Sequence, residues 1–209
     1  MTDVNSSSRP SRRERADQTR VRMIEAAQAA FLDDGYAGAR MADIAKRAGV
    51  AVQTLYYSFS TKAALLQACF DHAVLGPEKL PPPEQAFWAD IRAAATAPDA
   101  LRAFARGNAE IGARAGGINE VAKAARHEPE AAAVLTQSEA LRRGGYREMV
   151  LAVRDLGGLR SDLDIDRATD ILLVLGSPTT YLELRGLGWP HDEVERWVGE
   201  LMIAQLTGG

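Results

Sequence analysis

The sequence is poor in the residues from which most catalytic and metal sites are built. It contains one cysteine, Cys69, and three widely separated histidines, His72, His127 and His191. An internal disulfide is therefore excluded, and a zinc site is not expected. The motifs of nucleotide-binding loops, serine hydrolases and zinc proteases are also missing. We predict that the protein is not an enzyme and needs no metal and no cofactor.

Long apolar runs are absent as well. No stretch of roughly 18 apolar residues predicts a membrane-spanning helix. The N-terminal segment lacks the apolar stretch that is typical of a secretory signal. Together with the single cysteine, which fits a reducing compartment, this pattern predicts a cytoplasmic protein with no membrane partner.

What the chain has in abundance is apolar residues at helical spacing. Its 209 residues are 46% hydrophobic and rich in alanine. Val, Ile and Thr rarely alternate as they would in strands. A chain of this length forms one large domain, or a small domain joined to a larger one. The pattern predicts an all-α fold.

The stretch from Met41 to Lys62 is the most informative motif. It predicts two short helices, Met41–Arg47 and Val52–Ser58, joined by a tight turn at Ala48-Gly49-Val50. Two short helices with a glycine-containing turn form a helix-turn-helix, which places its second helix in a DNA major groove. The motif therefore predicts a DNA-binding protein.

The helix-turn-helix lies within a longer helical pattern. A first helix is expected from about 17 to 33, ended by Gly35, and a fourth from Thr61 to about Leu75, capped by Ser60. A Pro-rich break at 80–83 precedes the helices predicted at Glu84–Thr96, Asp99–Ala115, Ile118–His127, Pro129–Leu156, Asp164–Arg185 and His191–Leu206. We divide the chain into a disordered arm (1–15), an N-terminal three-helix head (16–62) and a larger helical domain (63–209).

The charge is divided between these parts. Residues 1–62 carry ten Lys and Arg against seven Asp and Glu, a net of +3, whereas residues 63–209 carry a net of −6. The arm concentrates Arg9, Arg12, Arg13 and Arg15. Such an arm either reaches the DNA beside the helix-turn-helix or is a solvated tail, and both alternatives stay open.

Three segments resemble the DNA-binding domain of the TetR/AcrR family of transcriptional regulators. They are TRVRMIEAAQAAFLDDGY (19–36), MADIAKRAGV (41–50) and TLYYSFSTKAALL (54–66). Their order and spacing are those of the family, and they cover about a quarter of the chain. The phrase GGLRSDLDIDRATDILLVLGSP agrees more weakly.

The resemblance implies a role for individual residues. Val52, Gln53 and Thr54 would begin the recognition helix and meet base edges, where Gln pairs with adenine and Val touches a thymine methyl. The residues implied to contact DNA are Arg40, Ala51, Val52, Gln53, Thr54, Tyr56, Tyr57 and Lys62. Tyr56 reads equally well as a core aromatic, whereas Lys62 resembles the phosphate-binding lysine of the family.

Several positions depart from the family pattern. Ala39 or Arg40 and Ala51 replace the usual hydroxyl caps of the second and third helices, and Ser58 replaces a histidine. An alanine N-cap costs about 1 kcal/mol relative to Ser or Thr. These changes affect which bases are preferred, not the expectation of DNA binding.

For the larger domain, the resemblance implies a homodimer that binds a small-molecule effector and a palindromic double-stranded operator. The last two helices would form the dimer interface. The candidate effector-binding residues are Phe87, Trp88, Phe104, Asn108, His127, Tyr146, Met149 and Tyr181. Core packing is the competing interpretation for each aromatic. Trp189 and Trp197 are assigned to packing or to the dimer interface.

Three functions from different classes remain open. The first is a ligand-released repressor. The second is a DNA-binding regulator without a small-molecule effector, either switched by a partner protein or acting as an activator. The third is a helical enzyme or carrier that retains a decayed DNA-binding head.

Overall fold

The computed structural model describes residues 11–208, and these form ten α-helices without a strand. The helices are α1 (Arg12–Gly38), α2 (Met41–Ala48), α3 (Val52–Ser58), α4 (Lys62–Leu75), α5 (Ala86–Ala93), α6 (Ala97–Ala124), α7 (Pro129–Asp155), α8 (Ile165–Leu175), α9 (Pro178–Gly186) and α10 (His191–Leu206). The predicted all-α fold is confirmed. No helix within residues 11–208 is long and apolar enough to cross a bilayer.

Two groups of buried side chains hold the helices together. The head cluster joins α1 to α4 and extends to Ile118 and Ala122 of α6 and to Val134 of α7. The body cluster joins α5, the first part of α6, the rest of α7 and α8 to α10. The long helix α6 therefore contributes residues to both clusters. The boundary at residue 62 stays a prediction, although α4 contributes Leu65 and Leu66 to the head cluster.

The first helix begins earlier than the sequence indicated. It starts at Arg12 rather than near Asp17, because Ser11 and Glu14 form a capping box. The Ser11 amide donates to Glu14 Oε2 over 2.5 Å, and the Glu14 amide donates to Ser11 Oγ over 3.2 Å. The prediction of a disordered arm is thus wrong for residues 11–15. Residues 1–10, including Arg9, lie outside the described part of the chain.

The first and fourth helices also differ from expectation at their ends. α1 is interrupted at Gly35, whose φ of +69° supports the expected left-handed position. Thr61, not Ser60, caps α4, because its hydroxyl accepts from the Ala64 amide over 3.0 Å. The helix predicted at 84–96 is shorter, since only Ala86–Ala93 forms α5 after a 3₁₀ turn at Pro82–Glu84.

Two predicted helices, 99–115 and 118–127, form the single helix α6. The prediction separated them at Gly116-Gly117, but these glycines lie within the helix, where a missing side chain allows close packing. A Cβ at Gly116 would lie 2.9 Å from Leu182 Cγ, and one at Gly107 would overlap the Phe87 ring. The neighbouring helices thus use the missing side chains as packing space, which stabilises α6 across its glycines.

The opposite error occurs at the predicted helix 164–185, which is two helices. α8 ends at Leu175 and α9 begins at Pro178. Ser177 caps α9 by accepting from the Thr180 amide over 2.9 Å. Proline suits the first position of a helix, where its missing N–H costs nothing, so Ser177-Pro178 starts a new helix.

Candidate nucleic-acid interface and internal site

The helix-turn-helix has the geometry that its sequence predicts. Ile44 and Ala45 bury one side of α2 in the head cluster. Gly49 closes the helix in the left-handed conformation (φ +68°, ψ 37°), which glycine adopts without strain. The Val50 amide donates to the Ala45 carbonyl over 3.0 Å and directs the chain into α3.

Helix α3 presents most of its surface to solvent. Leu55 is its buried residue, and Phe59 follows as a second buried anchor. Gln53 and Thr54 are exposed, whereas Val52 is half-buried against the head cluster. An outward face with an amide and a hydroxyl can donate to and accept from base edges. The sequence-predicted contacts of α3 thus lie together on one accessible helix.

The two tyrosines extend this surface. Tyr57 is 93% exposed, and Tyr56 is 48% exposed. Tyr56 is therefore not a core aromatic, which removes one of the two interpretations that the sequence left open. Large exposed aromatic side chains that cluster on one surface indicate a site for a partner.

The N-termini of α2 and α3 lack side-chain caps. Arg40 and Ala51 occupy the two N-cap positions, and neither side chain bonds to the following amides. Both residues are exposed. Because the first amides of a helix have no partner within the helix, the eight-residue α2 offers donors to an anion such as a DNA phosphate.

Lys62 has a different environment from the other predicted DNA contacts. Its ammonium group donates to the carbonyl oxygens of Tyr36 (2.7 Å), Ala37 (3.3 Å) and Ala39 (3.4 Å). It also lies 4.4 Å from the centre of the Tyr36 ring. Lys62 thus holds the connection between α1 and α2, a role that sequence reasoning missed. Its direct phosphate contact stays a prediction.

Seven of the eight candidate effector residues come together in or against the body cluster. They are Phe87, Trp88, Phe104, Asn108, Tyr146, Met149 and Tyr181. The eighth, His127, is exposed on the connection between α6 and α7 and does not join them. It lies at the far end of α6, where that helix packs in the head cluster, and this position separates it from the other seven residues.

A polar triad lies inside this cluster. The Tyr146 hydroxyl and the Asn108 amide nitrogen both donate to the Gly176 carbonyl, over 2.6 and 2.8 Å, and the Tyr146 hydroxyl also contacts Asn108 Oδ1. Phe104 packs edge-on against the Tyr146 ring at 5.0 Å. Burial raises the pKa of Tyr146, so its hydroxyl remains a neutral donor. The triad ties α6 and α7 to the end of α8.

Gly176 is a part of this triad that sequence reasoning missed. A Cβ there would lie 2.8 Å from both Asn108 Nδ2 and the Tyr146 hydroxyl. The signal was the glycine inside a predicted helix, which often has a packing reason. Tyr181 forms a second polar contact with His191 Nδ1 over 2.8 Å. Trp189 and Trp197 pack edge-to-face at 5.5 Å.

The fold and the exposed α3 define a class: a helical protein whose small helix-turn-helix head is built onto a larger helical body. The model of the family "Bacterial regulatory proteins, tetR family" matches residues 23–69, which lie within the head cluster helices. The transcriptional regulator TtgR of Pseudomonas putida is 46% identical over 59 residues. That match covers 28% of this chain and 28% of TtgR.

Solved structures share the fold over nearly the whole chain. A putative TetR-family regulator from a Rhodococcus species has a TM-score of 0.69 at 17% identity, over 92% of this chain and 100% of its own. The regulator FadR of Bacillus subtilis, solved with stearoyl-CoA, has a TM-score of 0.67 at 20% identity, over 90% of this chain and 99% of its own. The head therefore carries the match to the TetR family of bacterial regulatory proteins, and the body shares the fold of these solved structures.

Proposed function

We propose that the protein is a homodimeric transcriptional repressor that binds a palindromic DNA operator and is released by a small-molecule effector. The observation that carries the DNA-binding part is the exposed face of α3. Gln53, Thr54 and Tyr57 project from a short helix that Leu55 and Phe59 anchor in the head. A regulator of this kind acts on chromosomal DNA, so we propose the bacterial cytoplasm as its location.

The DNA contacts divide into two kinds. Gln53, Thr54 and the exposed edge of Val52 are proposed to meet base edges, whereas Arg40, Ala51, Tyr56 and Tyr57 approach the sugar-phosphate backbone. The separation has a testable consequence, because base contacts set sequence preference and backbone contacts set affinity for every sequence.

The test uses a duplex that the wild-type protein selects from a random library. We expect Gln53→Ala to relax preference at one base pair by about 1–3 kcal/mol, because a bidentate pairing is lost. Tyr57→Ala should weaken binding to all duplexes alike without changing thermal stability, since its side chain is 93% exposed. Leu141→Ala, which truncates an exposed apolar side chain on α7 (67%), serves as the control for Tyr57→Ala. Failure of the wild-type protein to select any duplex would contradict the proposal.

A dimer is needed because a palindrome has two half-sites. Recognition helices about 34–36 Å apart enter successive major grooves. The last two helices predicted from the sequence, 164–185 and 191–206, correspond to α8, α9 and α10. Large apolar side chains are exposed on α8 and α10, which pack together, notably Val174 (69%) and Trp197 (42%). We propose this face as the dimer interface, since burying it removes apolar surface from water.

The oligomeric state can be measured by light scattering after size exclusion. Val174→Asp should convert the dimer to a monomer, because it places a charge in the interface. Leu141→Asp makes the same change on α7 and should leave the dimer intact. A wild-type monomer would contradict the homodimer, and a dimeric Val174→Asp variant would contradict this face.

The body cluster supports an uncharged, largely apolar effector. Its side chains are aromatic and aliphatic, and Asn108 and Tyr146 supply polar groups. The buried polar residues of the described chain are Gln85, Asn119 and Thr169, none of them charged. A charged group that entered the cluster would lose its hydration, and no charged side chain is buried among the described members of the cluster to compensate it. FadR of Bacillus subtilis, which shares the fold, was solved in complex with stearoyl-CoA.

The effector hypothesis is tested by titrating the protein–DNA complex with a panel of neutral aromatic and aliphatic compounds. Binding that favours a wider dimer should lower operator affinity without contact to the DNA. Tyr146→Phe removes one hydroxyl and should change the response to any active compound. If no compound alters affinity, the regulator without a small-molecule effector becomes the better hypothesis.

A further inference from the structure

The recognition helix has few interactions of its own. α3 contains seven residues, has no side-chain cap at Ala51 and buries Leu55 alone within its length. An isolated helix of this size is unstable in water, so its position depends on contacts from other helices. Its last carbonyl groups also lack partners within the helix.

Arg20 of α1 supplies such a contact at the C-terminal end. Its Nη1 donates to the Ser58 carbonyl over 3.3 Å. Its guanidinium carbon lies 4.2 Å from the centre of the Phe59 ring. The guanidinium thus covers the ring while one of its N–H groups satisfies a terminal carbonyl. A positive charge at the C-terminus of a helix also interacts favourably with the helix dipole.

We propose that Arg20 is a positioning residue for DNA recognition, which rests on the proposed DNA-binding function. It fixes the C-terminal end of α3 against α1, and so sets the direction in which Gln53, Thr54 and Tyr57 point. Arg20 acts through α3 and not by touching DNA. Arg20 contributes to the positive charge of the head, but its guanidinium binds the end of the recognition helix and not a DNA phosphate.

A direct phosphate contact is the competing role for an exposed arginine, and the two roles differ in salt dependence. A phosphate contact releases counterions, so its loss lowers the slope of log affinity against log salt by about 0.9. Loss of a positioning contact lowers affinity at every salt concentration and leaves the slope unchanged. The two roles also differ in what lysine can replace, because a lysine carries the charge but lacks the planar guanidinium that lies over Phe59 and donates to the Ser58 carbonyl at the same time.

The experiment compares Arg20→Gln, Arg20→Lys and the control Arg22→Gln on the duplex selected by the wild-type protein. Arg22 lies two residues away on α1, carries the same charge and bonds to Thr19 of its own helix over 3.3 Å. We expect both Arg20 variants to lose about threefold to tenfold in affinity with an unchanged salt slope, since a cation–π contact and a hydrogen bond are lost or weakened. Arg22→Gln should stay within about twofold of wild type, as expected for a surface change.

Three results would overturn the proposal. They are an Arg20→Gln variant with wild-type affinity, a salt slope reduced in Arg20→Gln but not in Arg20→Lys, and an Arg20→Lys variant that binds as wild type. If the wild-type protein selects no duplex, the proposed function fails instead, and the positioning role is then judged on the free protein.

Hydrogen exchange of the free protein gives that second measurement. Arg20→Gln should accelerate exchange of the amides at Leu55 to Phe59 relative to Arg22→Gln, because the end of α3 loses its anchor. Equal exchange in the two variants would show that Arg20 does not hold the helix.

Discussion

Lys62 offers the sharpest test of how the head is assembled. Its ammonium group bonds to three backbone carbonyls between Tyr36 and Ala39, the shortest over 2.7 Å, and lies over the Tyr36 ring. Lys62→Met removes the charge and the donors but keeps an unbranched apolar stem of similar length. The variant therefore isolates the polar contacts from the packing of the side chain.

The size of the effect follows from these contacts. A hydrogen bond from a charged group contributes about 1.5–3 kcal/mol, and an exposed cation–π contact about 0.5–1 kcal/mol. The contacts at 3.3 and 3.4 Å are long and add little. We expect the free energy of unfolding to fall by about 2–3 kcal/mol. For a chain of this size, that corresponds to a Tm lower by about 4–12 °C.

Circular dichroism during thermal unfolding measures this change. Lys46→Met is the matched control, because Lys46 is exposed on α2 and its loss should cost less than about 0.5 kcal/mol. A Lys62→Met protein that melts with the Lys46→Met protein would refute the structural role. The operator salt slope then decides the second question, because a phosphate contact predicts a slope smaller by about 0.9.

Two further predictions concern the body and the single thiol. Gly107→Ala should destabilise the protein by about 1–3 kcal/mol, because the new Cβ would overlap the Phe87 ring. Gly144→Ala should instead stabilise α7 by about 0.5–1 kcal/mol, because a Cβ there has no neighbouring atom within 4 Å. Urea unfolding measures both changes. Burial raises the pKa of Cys69 from 9.0 to about 12, so the native thiol should resist labelling reagents at about pH 8 and react only on unfolding. Because the pKa of the folded thiol exceeds that of the unfolded thiol, only the unfolded state ionises between pH 9.0 and about 12. The free energy of unfolding should therefore be independent of this thiol below pH 9.0 and fall as the pH rises towards about 12. Cys69→Ala should show a weaker decline of stability over that range, and an equal decline would contradict the assignment.

The helix-turn-helix was the part most completely predicted from sequence. The bounds of α3 (Val52–Ser58) and α10 (His191–Leu206) agree with the prediction. In both cases, the signals are local: Gly49 permits a left-handed turn before α3, and Pro190 precedes α10. A local signal depends on a few neighbouring residues, so it can be interpreted without the rest of the fold.

The glycines of α6 and the α8–α9 break were interpreted wrongly for a different reason. Whether a glycine ends a helix depends on what packs against it, and Leu182, which packs on Gly116, is distant from it in the sequence. Ser177-Pro178 was a local signal, but the apolar run before it favoured one continuous helix. The candidate internal residues lie together except for His127, whose side chain is exposed.

The sequence by itself determined the helical class, the helix-turn-helix and the resemblance of the head to a family, because these depend on periodicity, turn chemistry and short motifs. The tertiary structure alone decided which charges hold the head together and which remain exposed to a partner. Arg20 meets Ser58 from 38 residues away, and Lys62 meets Tyr36 from 26 residues away. Such pairs have no periodic signature, because chain folding rather than local spacing brings a cation to a distant carbonyl group.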